Sequence, residues 1–181
     1  LTEYNNLIYG ISKEGGSESG GVLFKYNLND QNFTILKDFT NFAEQGKEPS
    51  GLIIDSNGEL YGTTAQGGNN NTGIIFKYNT NSGTFSKMYD FLGSEKVNWP
   101  MGKLVMNNNK IYGTSKRGGA SNYGSLYEYD LTSSTCLIKH NFTLYDGRHP
   151  ESGLIKIDNK LIGTSTYGVV TGTSTMFEYD L

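Results

Sequence analysis

The chain has 181 residues, with 15 Lys and Arg against 18 Asp and Glu, a net charge of −3. That length lets a single domain bury a sizeable core without staples, and the one cysteine, Cys136, excludes both an intrachain disulfide and a Cys-based zinc site. The acidic balance, with no Lys/Arg cluster, argues against a nucleic-acid surface, and no apolar run approaches the roughly 20 residues of a membrane helix, so no membrane insertion is expected within this segment. Only 18% of residues are charged while 24 are Gly and 13 Tyr, the mix of an all-β, turn-rich protein rather than an average globular one.

Leu1 is not an initiator methionine, and no leader pattern precedes the first structured residues. The first motif in chain order is LIYGISKEGG from Leu7, and it returns as LYGTTAQGG from Leu60, IYGTSKRGG from Ile111 and LIGTSTYGV from Leu161. The first glycines, Gly10, Gly62, Gly113 and Gly163, are spaced by 52, 51 and 50 residues. A second anchor follows each glycine by 14 positions (Phe24, Phe76, Tyr127, Phe177), a third lies 15 further on (Phe39, Phe91, Phe142), and a proline comes next (Pro49, Pro100, Pro150), always 13 residues before the next glycine. The length variation therefore falls between the Phe and the Pro, which reads as a loop. Independent anchors holding their offsets along the whole chain define a tandem repeat.

Within the second repeat, LYGTT bounded by Gly67 and Gly68 reads as a strand ending in a turn. GIIFKYN alternates, with Ile74, Phe76 and Tyr78 on one face and Ile75 and Lys77 on the other. Asn79 to Gly83 is a turn, TFSKMYDF a third alternating strand, and GKLVMNNN leads by a tight turn into the next KIYG. In the preceding repeat that turn is Asp55-Ser56-Asn57-Gly58, with the Asn-Gly pair that favours a hairpin. Four short antiparallel strands in about 51 residues, with no helical periodicity, predict an all-β propeller blade. The expected organisation is one propeller-type domain over 1–181, with blades near 1–49, 50–100 and 101–150 and a partial one over 151–181. It is either a four-bladed ring with an incomplete last blade or, as the position of Leu1 at the start of a GLII-type strand favours, an arc of a larger propeller. A blade cannot cover its own faces, so the recurring aromatics are expected to pack between blades. Loss of a fully buried one should cost about 3–5 kcal/mol. The repeat glycine is expected to mark close backbone approach near the axis.

The YGTTxxGG block followed by GIIFKYN resembles the GloVer (Gloeobacter–Verrucomicrobia type) tandem repeat. The resemblance spans the chain and is strongest at Tyr61, Gly62, Thr63, Thr64, Gly67, Gly68, Gly73 and Phe76. The first repeat departs at Ile11-Ser12, the third at Ser115 and the fourth at Ile162 and Gly168-Val169. The block also resembles a kelch repeat, with Phe33, Phe85 and Cys136 where kelch blades carry Trp. The resemblance implies a bacterial, extracellular or cell-surface β-propeller with no attached activity.

No catalytic signature accompanies the repeat. His140 and His149 lie in no metal-ligand spacing, Cys136 has no partner motif and reads as a semi-buried structural thiol, and no G-x-S-x-G or sialidase-type box occurs. Lys25, Lys77, Glu128 and Glu178 alternate at positions expected to face solvent, and DSNGE at Asp55 to Glu59 reads as a hairpin turn rather than a calcium loop. No cofactor, metal site or catalytic residue is therefore expected. The side chains that do not repeat gather in the Phe-to-Pro stretches: Phe42 and Glu44; Glu95, Lys96 and Trp99; Tyr145, Asp146, Arg148 and His149. Lys116, Arg117 and Asn122 follow the third repeat glycine. The candidate ligand-binding residues are Trp99, Tyr145, Asp146, Arg148, His149 and Arg117, a set that suits a glycan or a surface protein. A scaffold or recognition module is the leading expectation, ahead of a carbohydrate-binding propeller and then a propeller hydrolase or lyase.

Overall fold

The computed structural model describes residues 1–40, 43–93, 96–168 and 173–181. All regular structure among them is β. The first sheet is β1 (Thr2–Tyr4), β2 (Leu7–Ser12), β3 (Val22–Asn27) and β4 (Phe33–Asp38). The second is β5 (Lys47–Ile54), β6 (Glu59–Gln66), β7 (Ile74–Asn79) and β8 (Phe85–Asp90). The third is β9 (Val97–Asn107), β10 (Lys110–Gly118), β11 (Ser125–Asp130) and β12 (Thr135–Asn141), and the fourth is β13 (Ile155–Ile157), β14 (Lys160–Ser165) and β15 (Thr175–Asp180). Every sheet is an antiparallel meander in sequence order. The first two sheets form one compact unit, Leu1–Asp90, and the last two another, Phe91–Leu181.

The hairpins follow from the turn residues. Asp55 Oδ1 accepts from the amides of Asn57 and Glu59, Gly58 takes φ 79°, and β5 turns into β6 as the DSNGE segment requires. The first strand of a sheet begins earlier than the repeat suggested. β5 starts at Lys47 and β9 at Val97, so Pro49 and Pro100 sit inside strands rather than at the end of a loop. These are edge strands of their sheets, where the missing proline N–H costs no ladder bond, and the β5–β6 register shifts at Pro49/Gly51. The proline also has a neighbour to fit. A side chain on Gly21 would strike Pro49, and one on Gly124 would strike Pro150.

The repeat glycine has a different purpose from the expected backbone approach. Gly10, Gly62, Gly113 and Gly163 lie directly across the ladder from Phe24, Phe76, Tyr127 and Phe177. A Cβ on any of the four would collide with the facing ring. The 14-residue offset is thus a cross-strand pair in which the glycine leaves the space that the ring fills. The third anchor then closes over that ring. Phe39 stands 5.1 Å from Phe76, Phe91 5.3 Å from Tyr127 and Phe142 4.8 Å from Phe177, centroid to centroid. Phe39, Phe91 and Phe142 are all buried, as are Phe76 and Tyr127.

In the first unit these rings join Tyr9, Leu23, Leu52, Leu60, Ile74 and Tyr78 in a core between the two sheets. In the second, Val105, Tyr112, Leu126, Leu154 and Leu161 pack with Phe142, and Phe177 and Tyr179 lie against them. Both faces of β7 and β11 are covered, so Ile75 is as buried as Ile74. One consequence departs from the simple alternation. Glu128 is only 4% exposed and accepts from Tyr112 Oη at 2.7 Å and Lys110 Nζ at 2.8 Å. Lys25 and Lys77 are half-buried, and of the four outward-read charges Glu178 alone is exposed.

Phe76→Ala should cost about 3–5 kcal/mol, and Gly62→Ala about 1–3 kcal/mol by overpacking against the same ring, both measurable by urea unfolding. The double variant should lose clearly less than the sum, because removing the ring opens the space the added methyl needs. Strict additivity would show that glycine and ring do not share a site.

Candidate functional site

Twelve non-glycine residues among those described have positive φ, and three of them share one repeat position. Glu48, Trp99 and His149 have φ of 57°, 55° and 54°, and each immediately precedes the repeat proline. Left-handed backbone is costly for a residue with a side chain, of order 1–3 kcal/mol, and the residue before proline is already restricted. The surrounding structure holds this conformation in place. Glu48 N donates to Gly20 O and His149 N to Tyr123 O, equivalent bonds to the preceding sheet. A fixed, strained backbone thus presents three different side chains, a carboxylate, an indole and an imidazole.

Each of these side chains meets a residue from one of the two variable positions of the YGTTxxGG block. In the first unit Glu48 accepts from Gln66 Nε2 at 2.7 Å and pairs with Lys13 at 3.2 Å. In the second unit the Arg117 guanidinium lies over the half-buried Trp99 ring, 4.6 Å from its centroid. His149 stands edge-on to Tyr123 and Tyr167, at 6.1 and 5.8 Å. The Arg148 guanidinium lies over the same two tyrosines, at 5.6 and 5.4 Å. The chain here is clamped by backbone pairing of Arg148 with Tyr167. Lys116 O contacts His149 Nδ1 at 2.8 Å. A carbonyl can only accept, so Nδ1 carries a proton and donates to it. Lys116 Nζ is paired with Glu151 at 3.0 Å.

Of the six residues singled out from the sequence, four thus belong to aromatic contacts of the second unit: Trp99, Arg117 and Arg148 in cation–aromatic pairs and His149 in ring–ring contacts. Asp146 turns elsewhere. Its Oδ2 lies 2.6 Å from His140 Nε2 and its Oδ1 accepts from Thr143 N and Oγ1. Burial would raise its pKa, but the bonds from Thr143 and the neighbouring His140 outweigh that and hold the carboxyl below its ordinary range. Tyr145 is 84% exposed, and its amide caps back to Thr143 Oγ1. Glu44 pairs with Lys87, Lys96 is exposed, and Asn122 Oδ1 accepts from Gly118 N within its own loop. Phe42, Glu95 and Val169 lie outside the described residues. Tyr123 and Tyr167 were not singled out from the sequence. The signal for Tyr167 was its place in the xx pair, the one part of the block that does not repeat.

Cys136 is half-buried and its thiol is pushed up to about 12 by burial. No group of three or more His, Cys, Asp or Glu that could hold a metal occurs among the described residues, and no described helix is long and apolar enough to cross a membrane.

The meander sheets and their ring-on-glycine seams are those of β-propeller blades. Solved β-propellers share the fold: a nidogen/laminin complex chain (TM-score 0.67, 12% identity, 96% of this chain and 56% of that one) and a TolB-like protein from Agrobacterium tumefaciens (0.62, 10%, 97% and 58%). A gluconolactonase from Xanthomonas campestris is also similar (TM-score 0.60, 14% identity, 88% of this chain and 50% of that one). The chain spans little more than half the length of these structures. No curated protein matches it significantly. The chain belongs to the Gloeobacter/Verrucomicrobia repeat family, which it matches over residues 1–178.

Two measurements check the electrostatics. Burial favours the neutral form of Glu128, but Lys110, Tyr112 and Lys139 outweigh it and lower its pKa. A lowered carboxylate contributes stability that is present above the unfolded glutamate pKa and lost as pH falls through the folded value. Acid unfolding of the wild type should therefore be steeper through that window than that of Glu128→Gln, which should also be less stable at neutral pH by about 1–3 kcal/mol. Cys136 should alkylate far more slowly at pH 8 than a free cysteine (pKa about 8.5), as followed by mass spectrometry. Reaction at the free-thiol rate would contradict its burial.

Proposed function

We propose that this chain is a recognition module of an extracellular or cell-surface bacterial protein, and that it binds through the Trp99–Arg117 and Tyr123–Arg148–Tyr167 contacts of its second unit. The observation that carries this reading is the shared left-handed backbone at Glu48, Trp99 and His149. A strained geometry is kept while the side chain changes, and strain of this kind gathers at functional positions. Everything that does repeat has a packing reason, so the side chains at this position are what vary function.

The ligand class that fits is an acidic glycan. Indole and phenol rings suit the apolar faces of sugars, and Arg117 and Arg148 add two positive charges with planar donors for carboxylate or sulfate. This charge stands out in a chain of net −3. Among the solved structures of similar fold, one comes from a nidogen/laminin complex and another is the extracellular domain of a one-component system from B. thetaiotaomicron.

A second reading rests on His149. Its ring stands edge-on to Tyr123 and Tyr167, and Arg148 lies over the same two rings, which gathers the group types that proton removal beside a sugar carboxylate uses: an imidazole, a phenol and a charge to steady the carboxylate. A glycan array that includes uronic-acid and sulfated chains separates the two readings. Wild type should bind acidic glycans, with Trp99→Ala and Arg148→Ala each weaker by about tenfold or more, or ~1.4 kcal/mol, and Tyr145→Ala unchanged. Binding of no glycan by the wild type would sink the glycan assignment. Appearance of unsaturated uronide, abolished in His149→Ala, would move the assignment to a lyase.

A further inference from the structure

The chain holds three Asn-x-Thr runs: Asn32-Phe33-Thr34, Asn70-Asn71-Thr72 and Asn141-Phe142-Thr143. Asn-x-Ser/Thr is the pattern that accepts an N-linked glycan, and it does so where the run lies open on the surface. The fold treats the three differently.

Two of them are engaged. Asn141 Oδ1 accepts from Ala120 N at 3.0 Å, Phe142 is buried, and Thr143 Oγ1 donates to Asp146 at 2.9 Å. In the loop before β7, Asn71 has φ 54° and its Oδ1 accepts from Gly67 N at 3.0 Å, which folds the middle of that run back on itself. Asn70 and Thr72 each have a partner as well.

Asn32 is different. It is exposed, and among the described residues neither its side chain nor that of Thr34 is hydrogen-bonded. Only its backbone is held: Asn32 N donates to Asp30 Oδ1 at 3.0 Å, and its carbonyl accepts from Asn27 N at 2.9 Å. Phe33 turns to Phe24, with 5.0 Å between ring centroids, which puts Thr34 on the other face of β4. β4 is the outermost strand of its sheet, so the run can be approached along that edge.

The hairpin does not need this asparagine. Gln31, Gly83 and Ser134 take φ of 58°, 72° and 56° at the same place in three hairpins. Asn79 N donates to Thr84 O just as Asn27 N donates to Asn32 O. Thr84 and Thr135 stand where Asn32 does, and Ser86 and Leu137 where Thr34 does. The same turn therefore forms without the Asn-x-Thr run, and the first hairpin alone carries it.

We propose that Asn32 is the acceptor for an N-linked oligosaccharide on the folded protein. The donor class is a polyprenyl-pyrophosphate oligosaccharide. Asn32 Nδ2 bonds to C1 of the first sugar, and the C1–O bond to the pyrophosphate breaks. Polyprenyl pyrophosphate leaves with the electron pair, and one Nδ2 proton passes to a base of the transferase. Such transfer takes place outside the cytoplasm, so this site depends on the extracellular part of the function proposed above and not on its binding contacts.

The test presents the folded chain to a detergent-solubilised bacterial oligosaccharyltransferase with its lipid-linked oligosaccharide, and reads the mass of the tryptic peptide of residues 26–37. The wild type should carry the glycan on Asn32, and Asn32→Gln and Thr34→Val should lose it. Asn70 and Asn141 should stay bare in the folded chain and accept the glycan only in peptides cut from it. A folded chain left unmodified at Asn32 while the cut peptide is glycosylated would overturn the proposal. So would transfer to Asn70 or Asn141 of the folded chain as readily as to Asn32, and so would refusal of the cut peptide itself. Location is read apart, by protease shaving of intact cells, so a failed transfer is not mistaken for a protein held inside the cell.

Discussion

The structure depends on an aromatic ring laid across a glycine. In each sheet the second and third strands face one another at that pair, and the ring can lie flat against the sheet only because the residue opposite has no side chain. The flattened ring then offers a broad apolar surface, and Phe39, Phe91 or Phe142 covers it. A blade has two faces and no core of its own. This three-residue contact supplies the missing core, and the spacing of its members fixes how far apart successive repeats can be. The proline set against Gly21 or Gly124 adds a second point of fit at the other end of the sheet.

Because these contacts are set by local offsets, they were legible in the sequence. Gly62, Phe76 and Phe91 keep their distances from repeat to repeat, and four β-prone segments between turn residues leave little choice of architecture. What could not be read was the reason for the glycine, because a ring partner and a close backbone approach leave the same mark in a sequence. The burial of Glu128 was hidden as well. An acid in an alternating strand reads as outward until both faces are known to be covered, and in β11 Lys110 and Tyr112 meet the acid from the neighbouring strand.

The candidate site was legible only in part. Trp99, Arg117, Arg148 and His149 stood out because they do not repeat, and they do share aromatic contacts. Asp146 and Tyr145 stood out for the same reason and lie elsewhere. Variation marks a residue released from packing without saying where it points. The left-handed backbone at Glu48, Trp99 and His149 has no sequence signature at all, since none of them is the Gly or Asn that usually announces it. At Glu48 and His149 the backbone N–H donates to a carbonyl of the preceding loop, Gly20 and Tyr123, and holds it in place.

The offsets also set an order of assembly during synthesis. A glycine waits 14 residues for its ring, and the covering Phe has been made 35 to 37 residues before the ring it will cover. Each ring and its covering Phe are thus both present once the third strand of the next repeat has been made, and in the first unit Phe85 from the fourth strand then joins them. These contacts reach one repeat rather than the length of the chain, which favours assembly repeat by repeat. A nascent chain that closes its seams in this order leaves uncovered only the aromatic surface of the repeat at its growing end, the surface through which such a Tyr- and Phe-rich chain would otherwise aggregate.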